Sequence, residues 1–146
     1  MLYPRSTQYA IRAMVHLAQV PAGEFRMVKA IANAEDIPAP FLAKILQQLA
    51  KSRLVRSSKG RTGGFALGIP PAEIRLFDIA RCLDALPLCA QCALYGQCPQ
   101  DFACPLHDQW AALRDEIETY LKDNTVATLV VALETKRAEL ARRARR

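Results

Sequence analysis

Apolar residues recur at helical spacing in several stretches of this chain, and the breaks between those stretches set the order of its elements. From Ser6, the positions Tyr9, Ala10, Ala13, Met14, Leu17 and Ala18 repeat every three or four residues. They predict one stripe on a helix that Pro21-Ala-Gly23 ends. A shorter pattern of Val28, Ile31 and Ala32 runs to about Glu35, after which Asp36-Ile37-Pro38-Ala39-Pro40 forces a turn. The third stripe, Leu42, Ile45, Leu46 and Leu49, buries one face and leaves Pro40, Ala43, Lys44, Gln47 and Lys51 on the other. Two short helices joined by a tight turn, the second with a polar and basic outer face, are the arrangement of a helix-turn-helix.

The period then changes from helical to alternating. Arg53-Leu54-Val55-Arg56-Ser57 leads into Ser58-Lys59-Gly60-Arg61-Thr62-Gly63-Gly64 and returns through Phe65-Ala66-Leu67-Gly68, which predicts a two-stranded hairpin with a basic, glycine-rich tip. A phosphate-cradling nucleotide loop does not fit, because no helix follows Gly63-Gly64 and no Gly-Lys-Ser/Thr ending is present. A hairpin directly after the second helix of a helix-turn-helix is a wing. Past Pro70-Pro71, Ile74 to Leu83 reads as a short amphipathic helix carrying Cys82, which is read as a small core residue.

Leu106, Trp110, Leu113, Ile117 and Tyr120 then form a heptad seam on a helix roughly 25 Å long, with Pro105 placed where its missing N–H costs nothing. Asn124-Thr125 ends that helix and caps the next, from Val126 to about Leu140, and Arg142 to Arg146 read as a frayed basic tail. The expected fold is mainly α with a small β-hairpin wing, a winged helix-turn-helix plus a long dimerisation helix. Residues 1–70 form the DNA-binding region, 71–104 the connecting helix and a cysteine-rich loop, and 105–146 the dimerisation helix, C-terminal helix and basic tail. A seam this apolar calls for a partner, and a second copy of the chain is the simplest one.

Charge follows the same division. Residues 1–61 hold ten Lys or Arg against three acids, residues 62–135 hold four against ten, and residues 136–146 hold six against one. The run from Lys44 to Arg61 contains no acid and six basic residues. One continuous cationic face across helix and wing points to double-stranded DNA, and a symmetric dimer points to a palindromic operator read about one helical turn apart. The candidate DNA contacts are Ala39, Pro40, Ala43, Lys44, Gln47, Lys51, Arg56, Lys59, Gly60 and Arg61.

Four of the five cysteines, Cys89, Cys92, Cys98 and Cys104, fall in one segment that ends at His107. The chain opens without a basic stretch followed by an apolar core, and no apolar run is long enough to span a bilayer. A reducing cytoplasmic setting and no membrane are therefore expected, which favours metal over disulfide. Cys92, Cys98 and Cys104, each five residues from the next, supply three soft ligands, and His107 on the first turn of the long helix can close a four-ligand site. Thiolates select iron-sulfur clusters, zinc or copper(I), and a zinc site of Cys89, Cys92, Cys98 and Cys104 stays open. No acid/base pair, nucleophile constellation or nucleotide fingerprint marks an enzyme.

The helix-turn-helix, the wing Lys59-Gly60-Arg61-Thr62-Gly63-Gly64-Phe65-Ala66-Leu67-Gly68, the spaced cysteines and the long helix after them resemble the IscR/NsrR family of Rrf-type transcription regulators. The resemblance extends to about Leu133 and is strongest to the branch that holds a 2Fe-2S cluster with three cysteines and a histidine. It implies such a cluster on Cys92, Cys98, Cys104 and His107, with Cys89 as alternative fourth ligand, in a homodimer that senses iron-sulfur, iron or redox status. Nitric-oxide-responsive 4Fe-4S relatives use an acidic ligand where this chain has Gln8, and others use Glu and His where it has Gln8 and Arg12. A glutamate expected in the recognition helix is replaced by Ala43, which opens the question of how site choice depends on the cluster. A zinc-stabilised structural adaptor is the reading from a different class, and it leaves the wing and basic face without a role.

Overall fold

A computed structural model of the chain describes residues 4–84 and 105–144. Helices α1 (Arg5–Ala18), α2 (Val28–Glu35) and α3 (Ala39–Lys51) lead into strands β1 (Val55–Ser58) and β2 (Gly64–Leu67). A 3-10 turn at Pro71–Glu73 precedes α4 (Leu76–Cys82), and α5 (His107–Asp123) and α6 (Val126–Ala144) complete the described part. The stripes read from the sequence are the core: Ala10, Ala13, Met14 and Leu17 meet Ile31, Ala32, Leu42, Ile45, Leu46 and Leu49, all buried. Each such leucine or isoleucine contributes about 1.5–3 kcal/mol by leaving water, so these faces decide how the three helices pack.

The α2–α3 turn is tighter than expected. Asp36 adopts a left-handed conformation with φ of 49°, and the Ile37 N–H donates to the Ala32 carbonyl at 2.9 Å. Pro38 caps α3, its carbonyl accepting from the N–H groups of Phe41 and Leu42 at 3.0 Å each. Ala39 and Pro40 therefore belong to the first turn of α3 rather than to the turn before it, in a place where proline lacks nothing. At the other end Arg53 takes φ of 62° and the Leu54 N–H donates to Leu49 at 3.1 Å, closing the helix and aiming the chain into β1.

The hairpin pairs Val55 with Leu67 and Ser58 with Gly64 in antiparallel register. A third segment joins it: the Arg26 N–H donates to Phe65 O and the Phe65 N–H to Arg26 O, both at 2.9 Å. The wing is thereby tied to the residues that precede α2. A similar short bridge links two later parts of the chain, where Leu76 N–H donates to Asn124 O and Val126 N–H to Ile74 O, each at 2.9 Å. This explains why α4 begins at Leu76 rather than at Ile74, which is buried but extended.

Leu121 and Val126 join the same core as α1–α4, with Ile117 packed against it. Thr125 and Thr128 cap α6 reciprocally, each backbone N–H donating to the other's hydroxyl at 3.0 and 3.3 Å. Helix α6 lies along α1, where Arg137 Nη1 donates to Gln19 Oε1 at 3.1 Å. It continues through Ala144, so Arg142 and Arg143 are helical rather than frayed. Alanine and arginine are strong helix formers, and the sequence Ala138 to Ala144 contains no breaker.

Candidate nucleic-acid interface and cluster site

Helix α3 turns its buried leucines inward, and its 3.6-residue period then leaves Pro40, Lys44, Gln47 and Lys51 exposed along the opposite side, with Ala39 and Ala43 half-buried at its edge. Small residues at Ala39 and Ala43 leave room for a surface to approach the helix backbone. Lys44 and Lys51 have no ion-pair partner among the described residues, and neither do Lys59 and Arg61 at the wing tip. Uncommitted cations on one face are what a polyanion requires.

The wing glycines have different jobs. Gly60 has φ of 105° and open space around it, so it shapes a slim exposed tip between Lys59 and Arg61. Gly64, at φ of 145°, is pressed against the Arg26 carbonyl, where a Cβ could not fit. At Gly64 the close approach that glycine permits is thus to the chain's own backbone. Arg56 is exposed but anchored at the base of the hairpin. Its guanidinium carbon lies 5.9 Å from the Phe25 ring centroid, and its Nε donates to Leu67 O at 3.4 Å.

Two exposed residues near this face were not singled out by the pattern. Phe41 on α3 is 43% exposed and stands edge-on to Tyr9 at 5.8 Å between ring centroids. It falls between the apolar stripe and the basic face, so periodicity assigns it to neither. Lys29 on α2 is exposed outside the acid-free run that drew attention.

Of the cluster candidates, His107 is the first residue of α5 and is exposed, preceded by Pro105 and Leu106. Cys89, Cys92, Cys98 and Cys104 lie outside the described residues. Among the described residues no three metal-binding side chains gather. The donor set itself, three thiolates and an imidazole, matches what iron-sulfur centres and zinc accept. Cys82, half-buried on α4, packs against the core, as its reading as a core residue requires. From Leu106, just ahead of α5, the heptad seam divides: Ile117 is partly buried against the core, whereas Leu106, Leu113 and Tyr120, seven residues apart, are 41%, 47% and 46% exposed.

Residues 3–132 match a family described as Rrf2, iron-dependent transcriptional regulators. The chain belongs to the Rrf2 family. A protein of Mycobacterium tuberculosis H37Rv named as an HTH-type transcriptional regulator is 38% identical over 121 residues, 82% of this chain and 75% of its own. One from Aquifex aeolicus with the same kind of name is 33% identical over 135 residues, 89% and 92% of the two chains. The solved structure of CymR, the global cysteine regulator of B. subtilis, superposes with a TM-score of 0.74 at 25% identity, covering 88% of this chain and 95% of that one. T. potens IscR superposes with a TM-score of 0.72 at 28% identity, covering 91% and 88%. The chain is thus a winged-helix, DNA-binding transcription regulator of the Rrf2 family and not an enzyme. No helix among the described residues is long and apolar enough to cross a membrane.

Proposed function

We propose that this Rrf2 regulator acts in the cytoplasm as a homodimer whose grip on a palindromic operator responds to an iron-sulfur cluster. The cluster is of the 2Fe-2S type, held by Cys92, Cys98, Cys104 and His107, with Cys89 the alternative to the histidine. The observation that carries this reading is the position of His107. It opens the same helix that exposes Leu113 and Tyr120, so the last candidate ligand and the unburied seam share one rigid element. When bound, such a cluster supplies one-electron chemistry and lability toward oxidants.

The chain's own part is mechanical. Gathering three cysteines and His107 onto one group ties the loop before α5 to the first turn of that helix. If α5 pairs with its copy through Leu113 and Tyr120, the loop then sets how the two reading heads are spaced. Anaerobic reconstitution with iron and sulfide, followed by operator binding with and without the cluster, tests the proposal. A visible chromophore and a change in affinity on its removal are expected. A colourless, zinc-loaded protein would favour the zinc reading, and a 4Fe-4S spectrum the nitric-oxide-responsive one.

The dimer has its own test. Leu113→Asp places a charge in the seam and should convert dimer to monomer in sedimentation equilibrium, because burying an unpaired carboxylate costs several kcal/mol. An unchanged dimer would remove α5 from the interface.

On DNA, Lys44 and Gln47 face outward from α3 and are assigned to base edges, whereas Lys51 is assigned to phosphates. Lys44→Ala should alter preference across a library of sites. Lys51→Ala should lower affinity on every site and reduce the salt slope by about one unit. Unchanged preference in the Lys44 variant would mean that the wrong face of α3 has been chosen.

Lys59 and Arg61 flank Gly60 at the slim wing tip and are assigned to the minor groove, which is narrowest and most negative over A·T-rich steps. Alanine at either position should weaken binding by ~1–3 kcal/mol on A·T-rich flanks and by less on G·C-rich ones. Equal losses on paired sites differing only in their flanks would reduce the wing to phosphate neutralisation.

A further inference from the structure

A cavity of about 450 Å³ opens between the α1–α2 connection and the base of the wing. Its volume lies in the range of ~300–1,000 Å³ that small-molecule sites occupy. Its apolar lining includes Leu17, Val20, Pro21, Leu67, Ile69 and Pro70. Part of the backbone donor capacity of this lining is already used. The prolines have no N–H, and those of Val20, Glu24 and Gly68 are spent on Leu17, Pro21 and Leu54.

Two charged residues are among those that line it, Glu24 and Arg56. The Glu24 carboxylate is already engaged, 3.0 Å from Arg26 Nη2. Arg56 is not matched in the same way. Its Nε makes one long bond of 3.4 Å to Leu67 O, its guanidinium carbon lies 5.9 Å from the Phe25 ring centroid, and its two terminal nitrogens have no hydrogen-bond or ion-pair partner among the described residues. The cavity therefore offers an apolar lining and a guanidinium whose Nε is committed to Leu67 O and whose two terminal nitrogens are unpaired among the described residues.

We propose that this cavity is a binding site for a small carboxylate with a short apolar body, its carboxylate held by the Arg56 guanidinium and its hydrocarbon part seated among Leu17, Val20 and Ile69. A guanidinium presents parallel N–H groups that match a carboxylate in bidentate fashion, which neither an amide nor an amine can exploit. An occupant would bridge the connection ahead of α2 to both strands of the wing. It would also engage the arginine that is a candidate phosphate contact, so occupancy and operator binding oppose one another.

The test titrates the full chain, free of DNA, with hexanoate, hexanamide and hexylamine while amide resonances are followed by NMR. Hexanoate should shift the resonances of Val20, Leu67 and Ile69, with hexanamide weaker by about tenfold, the worth of one charge-assisted hydrogen bond, and hexylamine without effect. Arg56→Gln should weaken hexanoate by a similar factor, and Arg56→Lys should restore part of it. Ala18→Leu, which crowds the cavity and keeps the cation, should also block binding. Urea midpoints near that of the parent chain establish that each variant is folded. No hexanoate shift in the parent, equal binding of hexanamide, or undiminished binding in Arg56→Gln would each overturn the proposal. Shifts confined to the exposed seam of α5 would do so as well.

Discussion

Replacing Cys92, Cys98 or Cys104 by alanine is expected to abolish cluster retention, whereas Cys82→Ala leaves it intact. Thiolates provide nearly all the affinity of a protein for an iron-sulfur centre, and each of these substitutions leaves only two of the three evenly spaced cysteines. Cys82 sits on α4, half-buried against the core, and its loss removes only a small apolar side chain. Iron and sulfide content and the visible spectrum of anaerobically reconstituted protein provide the measurement. Normal occupancy in any of the three variants would end the ligand assignment. His107→Ala should leave a cluster that forms but decays quickly on dilution or exposure to air. If Cys89→Ala behaves in this way and His107→Ala does not, Cys89 is the fourth ligand.

Gly64→Ala is expected to destabilise the whole domain by about 3 kcal/mol or more. A φ of 145° is open only to glycine and carries a strain of ~1–3 kcal/mol for any other residue. A methyl group there would also meet the Arg26 carbonyl, a backbone atom that cannot rotate away. Relief requires opening the bridge between Arg26 and Phe65, at ~0.5–1.5 kcal/mol for each of its two hydrogen bonds. For a domain with a total stability of ~5–15 kcal/mol this is a large fraction. Gly60→Ala is the matched control, because it has the torsional strain but meets nothing. Urea midpoints should separate the two variants clearly, and equal midpoints would show that the Arg26 contact carries no weight.

The difference between those two glycines also marks where sequence reasoning stops. Their clustering in the tip was visible, but Gly64 answers to Arg26, nearly forty residues earlier, through a bridge one residue long. A single bridged residue has no period. The pairing of Arg75 with Thr125 escaped notice for the same reason, and with it the late start of α4. The helical stripes, by contrast, were legible because Leu42, Ile45, Leu46 and Leu49 repeat often enough to define a face, and that face is buried.

On α5 the repeat predicted a stripe correctly but could not say what covers it. Ile117 packs on the chain's own core, while Leu113 and Tyr120 do not. The outward basic positions of α3 followed from the same period, since a buried stripe fixes its opposite side. The anchoring of Arg56 over Phe25 did not, because the two residues belong to different elements. The candidate cysteine ligands fall outside the described residues, so their assignment rests on spacing and on the family resemblance.

The bridge between Ile74–Leu76 and Asn124–Val126 pins α5 at its C-terminal end, where Leu121 is buried, while its first residues are exposed. The helix is in effect a lever about 25 Å long with its fulcrum in the core, and a tilt of ~5° there displaces the His107 end by ~2 Å. A lever transmits in both directions. In the proposed dimer, two heads held at a fixed separation on an operator would hold the far end of each helix in one position, and with it the position of His107, the candidate ligand at that end. If the proposed cluster form prefers an operator, thermodynamic reciprocity requires that the operator raises the protein's affinity for the cluster by the same factor, so that DNA would stabilise the loaded form as well as being its target.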